Sequence, residues 1–129
     1  MSTHFELCSE FMRAFGQEVY SHPSIRDNET QELRYELIRE EVEELREGLD
    51  KDDLVEVADA LTDILYVVYG AGHAFGIDLD ACFREVHRSN MSKLAEDGTV
   101  IKRADGKVLK GPNYSPPNLI PIILEPRKW

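Results

Sequence analysis

Two acidic motifs are the residues of this chain best suited to chemistry. The first is the Glu-Glu-Val-Glu-Glu run at residues 40–44, and the second is Glu-Val-Ala-Asp at residues 56–59. Each motif holds one acidic pair with i, i+3 spacing: Glu41 with Glu44, and Glu56 with Asp59. On a helix, side chains with this spacing share one face. Carboxylate oxygens are the ligands that Mg²⁺ prefers, usually shared with waters and substrate phosphates. The spacing therefore indicates a divalent-cation site, provided that both segments are helical.

A solvated helix face is the alternative interpretation of such charges. We assign it to three neighbouring glutamates, Glu36, Glu43 and Glu47. Glu56, Asp59 and Asp63 differ, because they form an acidic line down a segment that is otherwise strongly apolar. Buried charges are costly unless something binds them, so this line favours a bound cation. Asp63 lies one turn beyond the motif, and its role is left open between the site and another polar group at the floor of a pocket.

Helical periodicity predicts the elements that carry both motifs. The first helix is predicted from Phe5 to Val19, before Ser21-His22-Pro23, and the second is predicted to be capped by Asn28. The third helix is predicted to start at Asp52 or Asp53, and the fourth to run from Asp78 to Gly98. The second helix holds the first acidic motif, and the third holds the second motif together with the strongest apolar period in the chain. The pattern predicts an all-α bundle of four to five helices.

The second and third helices are predicted to form an antiparallel hairpin about residues 48–51, centred near residue 50. Glu41 would then face Asp59, and Glu44 would face Glu56, so that four carboxylates meet at one level. Such a group repels itself unless a cation binds or some acids stay protonated. Di-iron helical bundles also gather carboxylates, but they add Glu-x-x-His pairs, which this sequence lacks. We therefore assign no histidine to the metal.

The segment at residues 98–129 differs in character from the helical part. Its Asp105-Gly106 step, between two short apolar runs, predicts a β-hairpin. The proline-rich stretch that follows cannot hold a regular helix and predicts an extended tail. We expect residues 1–129 to form one domain, with a helical bundle at 1–97 and the hairpin and tail at 98–129.

Composition narrows the function classes. The chain has 129 residues and a formal net charge of −10, which argues against binding a nucleic-acid polymer, since such binding depends on Lys and Arg. Its longest uncharged apolar stretch, residues 64–71, is too short for a membrane span, so we expect no membrane partner. We find no secretory signal pattern near the start and expect a cytoplasmic location. Cys8 and Cys82 lack metal-knuckle spacing and are interpreted as core thiols.

The acidic motifs resemble those of the MazG-like and phosphoribosyl-ATP pyrophosphohydrolase-like superfamily of all-α nucleoside-triphosphate pyrophosphatases. The signature of that superfamily is a Glu-Glu-x-x-Glu helix followed by Glu-x-x-Asp. Glu40, Glu41 and Glu44 match the first part, and Glu56 and Asp59 match the second. The resemblance extends to three more segments: residues 14–17, Asn90-x-x-Lys93 and residues 111–117. It covers nearly the whole chain.

The resemblance implies roles for individual residues. Glu41, Glu44, Glu56 and Asp59 would hold Mg²⁺, with Mn²⁺ as a substitute, and Glu40 would orient or deprotonate the attacking water. Asn90, Lys93 and Lys110 would bind the phosphates, and Phe15 and Gln17 would lie near the nucleobase. Surface solvation is the alternative for Asn90 and Lys93, and core packing is the alternative for Phe15.

The function that follows is conversion of a (deoxy)nucleoside triphosphate to the monophosphate and pyrophosphate, as nucleotide-pool house-cleaning. Phosphoribosyl-ATP pyrophosphohydrolase is the alternative enzyme, and a non-catalytic nucleotide or metal sensor is the alternative from another class. A purely structural adaptor would leave the acidic line unexplained. The apolar third helix has more hydrophobic surface than a lone small bundle comfortably covers, which favours a homodimer or homotetramer.

Overall fold

The chain is helical in a computed structural model that describes residues 1–94 and 97–124. Its helices are α1 (His4–Ala14), α2 (Asn28–Asp50), α3 (Leu54–Phe75), α4 (Leu79–Met91) and α5 (Ile120–Leu124). The described residues contain no sheet, which confirms the all-α prediction. The end of the predicted tail, residues 125–129, and residues 95 and 96 of the predicted fourth helix lie outside the described residues. No helix among the described residues is long and apolar enough to cross a membrane.

Backbone contacts group the described residues into two compact units, residues 1–79 and 80–124. In the first unit, α3 is the central helix, and both α1 and α2 pack against it. Phe5 and Met12 of α1 are buried, and the Phe5 ring stacks on the imidazole of His73 with centroids 3.8 Å apart. The predicted core thiols are confirmed, since Cys8 and Cys82 are both buried thiols.

Carboxylate and hydroxyl caps set the starts of the first three helices. The capping side chains are Thr3, Asp27 and Asp53, which accept from the backbone N–H of Glu6, Thr30 and Glu56 respectively. The predicted cap Asn28 is therefore wrong by one residue, because the Asp27 carboxylate accepts from Thr30 at 3.0 Å and Asn28 is already helical. Asp53 caps the helix that carries the second acidic motif, and it is one of the two residues at which this helix was predicted to start.

Helix α1 ends at Ala14, five residues before its predicted end at Val19. Gly16 adopts a left-handed conformation with φ of 74°, and the N–H of Gln17 returns to the carbonyl of Met12 at 2.8 Å. This is the usual way in which glycine stops a helix. Residues 15–27 consequently form a connection rather than a continued helix, and the Tyr20 N–H donates to the carbonyl of His73.

The register of the α2–α3 hairpin differs from the prediction. Helix α2 continues through Gly48 to Asp50, because Gly48 is buried against α3, where a Cβ would lie 3.1 Å from the backbone N of Val57. At Gly70 of α3, a Cβ would lie 3.0 Å from Nη1, at the end of the Arg34 side chain. Gly48 packs against Glu56 and Val57, so the hairpin is centred near residue 52, and the predicted centre near residue 50 is wrong. When the centre shifts by two residues, the residue of α3 that faces a given residue of α2 shifts by four, which is about one helical turn.

The second unit contains α4, α5 and the segment between them. The predicted β-hairpin is not shown as paired strands: a single antiparallel bridge joins Lys102 to Val108 around the turn at Asp105-Gly106. The tail is held on α4 by side-chain hydrogen bonds, in which Glu85 accepts from the N–H of Asn118 at 2.7 Å. The tail also includes the short helix α5, so it is not extended throughout.

Candidate functional site

Three carboxylates meet on the α2–α3 seam. One carboxylate oxygen from each of Glu41, Glu44 and Asp63 lies within 4.8 Å of the other two. Glu41 and Glu44 share a face of α2 through their i, i+3 spacing, and the hairpin register brings Asp63 of α3 opposite them. We call this group the acidic cluster. Three oxygen donors at this separation form a ligand set suited to a hard divalent cation.

The electrostatics of the acidic cluster favour a bound cation. Partial burial raises the pKa of Glu41 to about 7, and a hydrogen bond with Glu44 and the charges of Glu44, Asp63 and Asp59 add to the shift. Burial, followed by the charges of Asp59 and Glu44, also raises the pKa of Asp63. Oε2 of Glu41 is buried and has no hydrogen-bond partner. A divalent cation would satisfy this oxygen and offset the mutual repulsion.

The other predicted acidic residues lie around this group. Asp59 is exposed, but it is close enough for its charge to raise the pKa values of Glu41 and Asp63. Glu56 is partly exposed, with its Oε1 3.8 Å from the Lys51 ammonium. Glu40 is exposed on α2 next to Glu41 in sequence. The structure thus brings together Glu41, Glu44 and Asp63, and the roles of Glu40, Glu56 and Asp59 stay predictions.

Sequence reasoning left the role of Asp63 open. The available signal was its position four residues after Asp59 on an apolar helix, which places both on one face. The centre of the hairpin was predicted too early in the chain. Asp59, rather than Asp63, was therefore the residue expected opposite Glu41. The choice between them depended on the register of packing and not on the motif.

A cavity of about 530 Å³ lies in the first unit, between α1, the following connection, α2 and α3. Its lining includes apolar side chains, aromatic rings and a few polar groups: Phe11, Met12, Gln17, Glu18, Arg34 and Tyr66 among them. Leu37, also in the lining, precedes Glu41 by four residues, and Tyr66 follows Asp63 by three. The cavity therefore adjoins the acidic cluster along the same two helices.

The two predicted base-binding residues differ in their position relative to this cavity. Gln17 contributes to its lining. Phe15 terminates α1 with its ring 70% exposed, and that ring packs against Phe11 with centroids 4.6 Å apart. Phe15 is thus not in the core, and its predicted contact with a base remains a prediction.

Arg34 is a charged residue of the cavity that the motif analysis did not single out. Its Nε atom is buried without a hydrogen-bond partner, and burial lowers the pKa of its guanidinium. A signal was present in the sequence, because Arg34 precedes Leu37 by three residues and Glu41 by seven, both spacings of one helix face. Periodicity cannot show that its Nε lacks a hydrogen-bond partner.

The predicted phosphate-binding residues belong to the second unit. Asn90 is exposed in the last turn of α4, and the carbonyl of Lys93, just beyond that helix, accepts from the N–H of Gly111 at 2.8 Å. A Cβ on Gly111 would lie 2.5 Å from the same carbonyl oxygen, so this approach requires glycine. Lys110 precedes that glycine, and its ammonium lies 4.8 Å from the centroid of the Tyr114 ring. The structure thus brings the backbones of Lys93 and Lys110 together.

Comparison with known proteins gives two findings. A family model described as phosphoribosyl-ATP pyrophosphohydrolase matches residues 8–90, a span that includes both acidic motifs, Asp63 and Arg34. An uncharacterized protein of Acanthamoeba polyphaga mimivirus is 45% identical over 83 residues, which are 61% of this chain and 33% of the viral protein. The chain therefore spans about a third of the length of the curated relative that it matches.

Proposed function

The chain belongs to the phosphoribosyl-ATP pyrophosphohydrolase family, and from this premise we propose that it is a Mg²⁺-dependent nucleoside-triphosphate pyrophosphohydrolase. It converts a (deoxy)nucleoside triphosphate to the monophosphate and pyrophosphate, as part of nucleotide-pool house-cleaning. The observation that carries the proposal is the acidic cluster, in which a buried oxygen of Glu41 has no donor within a group of mutually repelling carboxylates. Such a site favours a bound cation, and a cation bound by carboxylates can also bind phosphate oxygens.

The metal ligands that we propose are Glu41, Glu44 and Asp63, together with Glu56 and Asp59 from the second motif. When bound, Mg²⁺ or Mn²⁺ would polarise the phosphoryl oxygens and offset the charge of the pyrophosphate leaving group. Glu41 and Glu44 would keep one face of α2 directed at the triphosphate. Asp59 and Asp63, one turn apart on α3, would provide the opposite wall.

Glu40 is the general base in this proposal. Its exposed carboxylate would accept a proton from a water that attacks the α-phosphorus. A new bond forms between the water oxygen and the α-phosphorus, and the bond from that phosphorus to the bridging oxygen breaks, so that pyrophosphate leaves with the electron pair. Asn90, Lys93 and Lys110 would bind the phosphates, and Phe15 and Gln17 would contact the base.

Phosphoribosyl-ATP is the second candidate substrate, because it is named in the description of the matching family model. Its hydrolysis breaks the same α–β phosphoanhydride bond, and the same acidic residues would serve. Phosphoribosyl-ATP carries a phosphoribosyl group that a simple nucleoside triphosphate lacks, so the space around the base would distinguish the two substrates. Measuring the hydrolysis of both substrates with one protein preparation therefore distinguishes the two candidates.

We further propose that the protein acts as a homodimer or homotetramer. Leu54, Leu61 and Leu65 lie on one face of α3, and their exposed fractions are 79%, 49% and 51%. A contiguous apolar face of this kind usually packs against another chain. Light scattering coupled to size-exclusion chromatography tests this proposal, with Leu61→Glu as a variant that should shift the protein toward monomer.

Product analysis tests the proposed activity. A panel of ribo- and deoxynucleoside triphosphates and phosphoribosyl-ATP is incubated with the protein in Mg²⁺, Mn²⁺ or EDTA. We expect monophosphate and pyrophosphate in equal amounts from at least one triphosphate, with both metals and not in EDTA. Release of orthophosphate and a diphosphate would contradict cleavage between the α- and β-phosphates.

Two other results would change the assignment. Turnover of phosphoribosyl-ATP alone would make the second candidate the function. Binding of a non-hydrolysable triphosphate analogue, without turnover of any substrate by folded protein, would replace the enzyme with a nucleotide sensor. Glu43→Gln is the matched control for variants of the motif, because Glu43 is exposed and paired with Arg39.

A further inference from the structure

Arg34 is a partly buried cation in the cavity wall that makes no ion pair among the described residues. Its Nε has no hydrogen-bond acceptor, and desolvation alone accounts for the lowered pKa of its guanidinium. Glycine at position 70 leaves room for its terminal nitrogen, since a Cβ there would lie 3.0 Å from Nη1. An unsatisfied buried donor costs free energy, so a ligand that supplies an acceptor would be bound preferentially.

The surroundings of Arg34 indicate the chemistry of that ligand. Phe11, Met12, Leu37 and Tyr66 give the cavity an apolar and aromatic lining, which suits a flat heterocycle rather than a hydrated phosphate group. Gln17 and Glu18 add acceptors to the lining, and arginine has donors only. A ring with an adjacent carbonyl and N–H would satisfy both kinds of group.

The position of Arg34 relative to the acidic cluster fits the length of a nucleotide. Arg34 precedes Glu41 by seven residues on α2, about 10 Å along the helix axis. The cavity starts next to the acidic cluster, because Leu37 lies one turn before Glu41 and Tyr66 almost one turn after Asp63. A nucleotide with its α-phosphate at the acidic cluster would therefore extend its base toward Arg34.

We propose that Arg34 is the specificity-determining residue of this cavity, donating a hydrogen bond to the carbonyl oxygen of a nucleobase lactam. This inference rests on the proposed function and names its substrate class. Uracil, thymine, guanine and hypoxanthine carry a ring carbonyl next to an N–H, whereas cytosine and adenine carry an amino group at that position. A guanidinium facing an amino group leaves two donors unsatisfied, so amino bases are rejected.

Equilibrium binding of nucleoside monophosphates in EDTA tests this inference without any turnover. UMP is compared with CMP, and GMP with AMP, by isothermal titration calorimetry on the full chain. We expect the lactam member of the preferred pair to bind about 10- to 100-fold more tightly, the cost of leaving a buried donor unsatisfied opposite an amino group. Arg34→Met should remove this difference, since methionine fills similar space without donors.

Two further variants make the test specific. Arg39→Met removes an arginine from the same helix, but Arg39 is exposed and paired with Glu36 and Glu43. This variant should therefore discriminate between lactam and amino bases as well as the wild type does. Gly70→Ala keeps Arg34 and displaces its guanidinium, because the new Cβ would approach Nη1. We expect an intermediate loss of discrimination from Gly70→Ala. Circular dichroism checks that each variant is folded.

The outcomes separate this inference from the proposed function. Equal binding of lactam and amino bases by the wild type would overturn the role of Arg34, even if triphosphates are hydrolysed. A uniform loss of affinity for all nucleotides and for inorganic pyrophosphate in Arg34→Met would assign Arg34 to phosphate and also overturn it. Lactam discrimination without turnover of any triphosphate would support the inference and contradict the proposed function.

Discussion

The acidic cluster and Arg34 lie on the same helical seam and present opposite charges. At the cluster, a buried oxygen of Glu41 has no donor, and burial together with the neighbouring acids raises the pKa of this residue. At the other position, a buried nitrogen of Arg34 has no acceptor. The two residues do not neutralise each other, because seven residues of α2 separate them by about 10 Å along the axis.

This difference suggests how one seam can bind a molecule with two unlike ends. An ion pair between Glu41 and Arg34 would satisfy both charges and leave no preference for a ligand. Their separation keeps each charge available, one for a cation that binds phosphates and the other for an acceptor on a base. Both positions lose some stability in the absence of ligand, as is common at binding sites.

The largest expected effect is at the acidic cluster. Glu41→Gln should lower kcat/KM for pyrophosphate release by more than about 100-fold, since even outer-shell changes at metal sites cost about 10- to 100-fold. Glu43→Gln, two residues away and exposed, should retain activity close to that of the wild type. Full activity in folded Glu41→Gln would remove Glu41 from the site.

Asp63→Asn tests the residue that the structure adds to the cluster. We expect its affinity for Mn²⁺, measured by calorimetry, to fall about 10- to 100-fold, because one anionic oxygen ligand is lost. Asp50→Asn is the control, as Asp50 is exposed and paired with Arg46. Unchanged affinity in Asp63→Asn would leave the ligand set as the sequence predicts it, with Glu56 and Asp59 opposite α2.

Stability without metal should depend on pH through Glu41. The folded-state pKa is about 7, above its ordinary value of 4.5, so the folded protein holds this proton more tightly than the unfolded chain. Its stabilising contribution is complete below pH 4.5 and is lost as the pH rises through about 7. Melting temperatures in EDTA should therefore fall over this range, and less steeply in Glu41→Gln. Equal slopes for the two proteins would contradict the raised pKa.

The smallest effect concerns the stability contribution of Arg34. Arg34→Met should raise the free energy of unfolding by up to about 1 kcal/mol, because an unsatisfied buried donor is removed. Arg39→Met should lower it slightly, since two exposed ion pairs are lost. Urea denaturation measures both changes. A marked destabilisation by Arg34→Met would show that Arg34 has a partner in the folded protein.

Local sequence features predicted the helices better than their ends. The apolar period of α3 and the aspartate before it placed that helix within a residue of its start. The end of α1 was predicted too late, since Gly16 stops the helix while apolar residues continue at helical spacing. The β-hairpin was predicted from an Asp-Gly step, but only one bridge forms between residues 102 and 108. A turn signal alone does not supply the cross-strand packing that extends a ladder.

The sequence by itself determined the all-α class and the helical spacing of the two acidic motifs, because helix periodicity and i, i+3 spacing are local properties. Only the tertiary structure decided that Asp63 faces Glu41 and that Nε of Arg34 is buried without a hydrogen-bond partner. Both depend on the register between two helices, which close packing of Gly48 against Glu56 and Val57 helps to set. Such packing involves residues far apart in the chain, and no pattern within either helix specifies it.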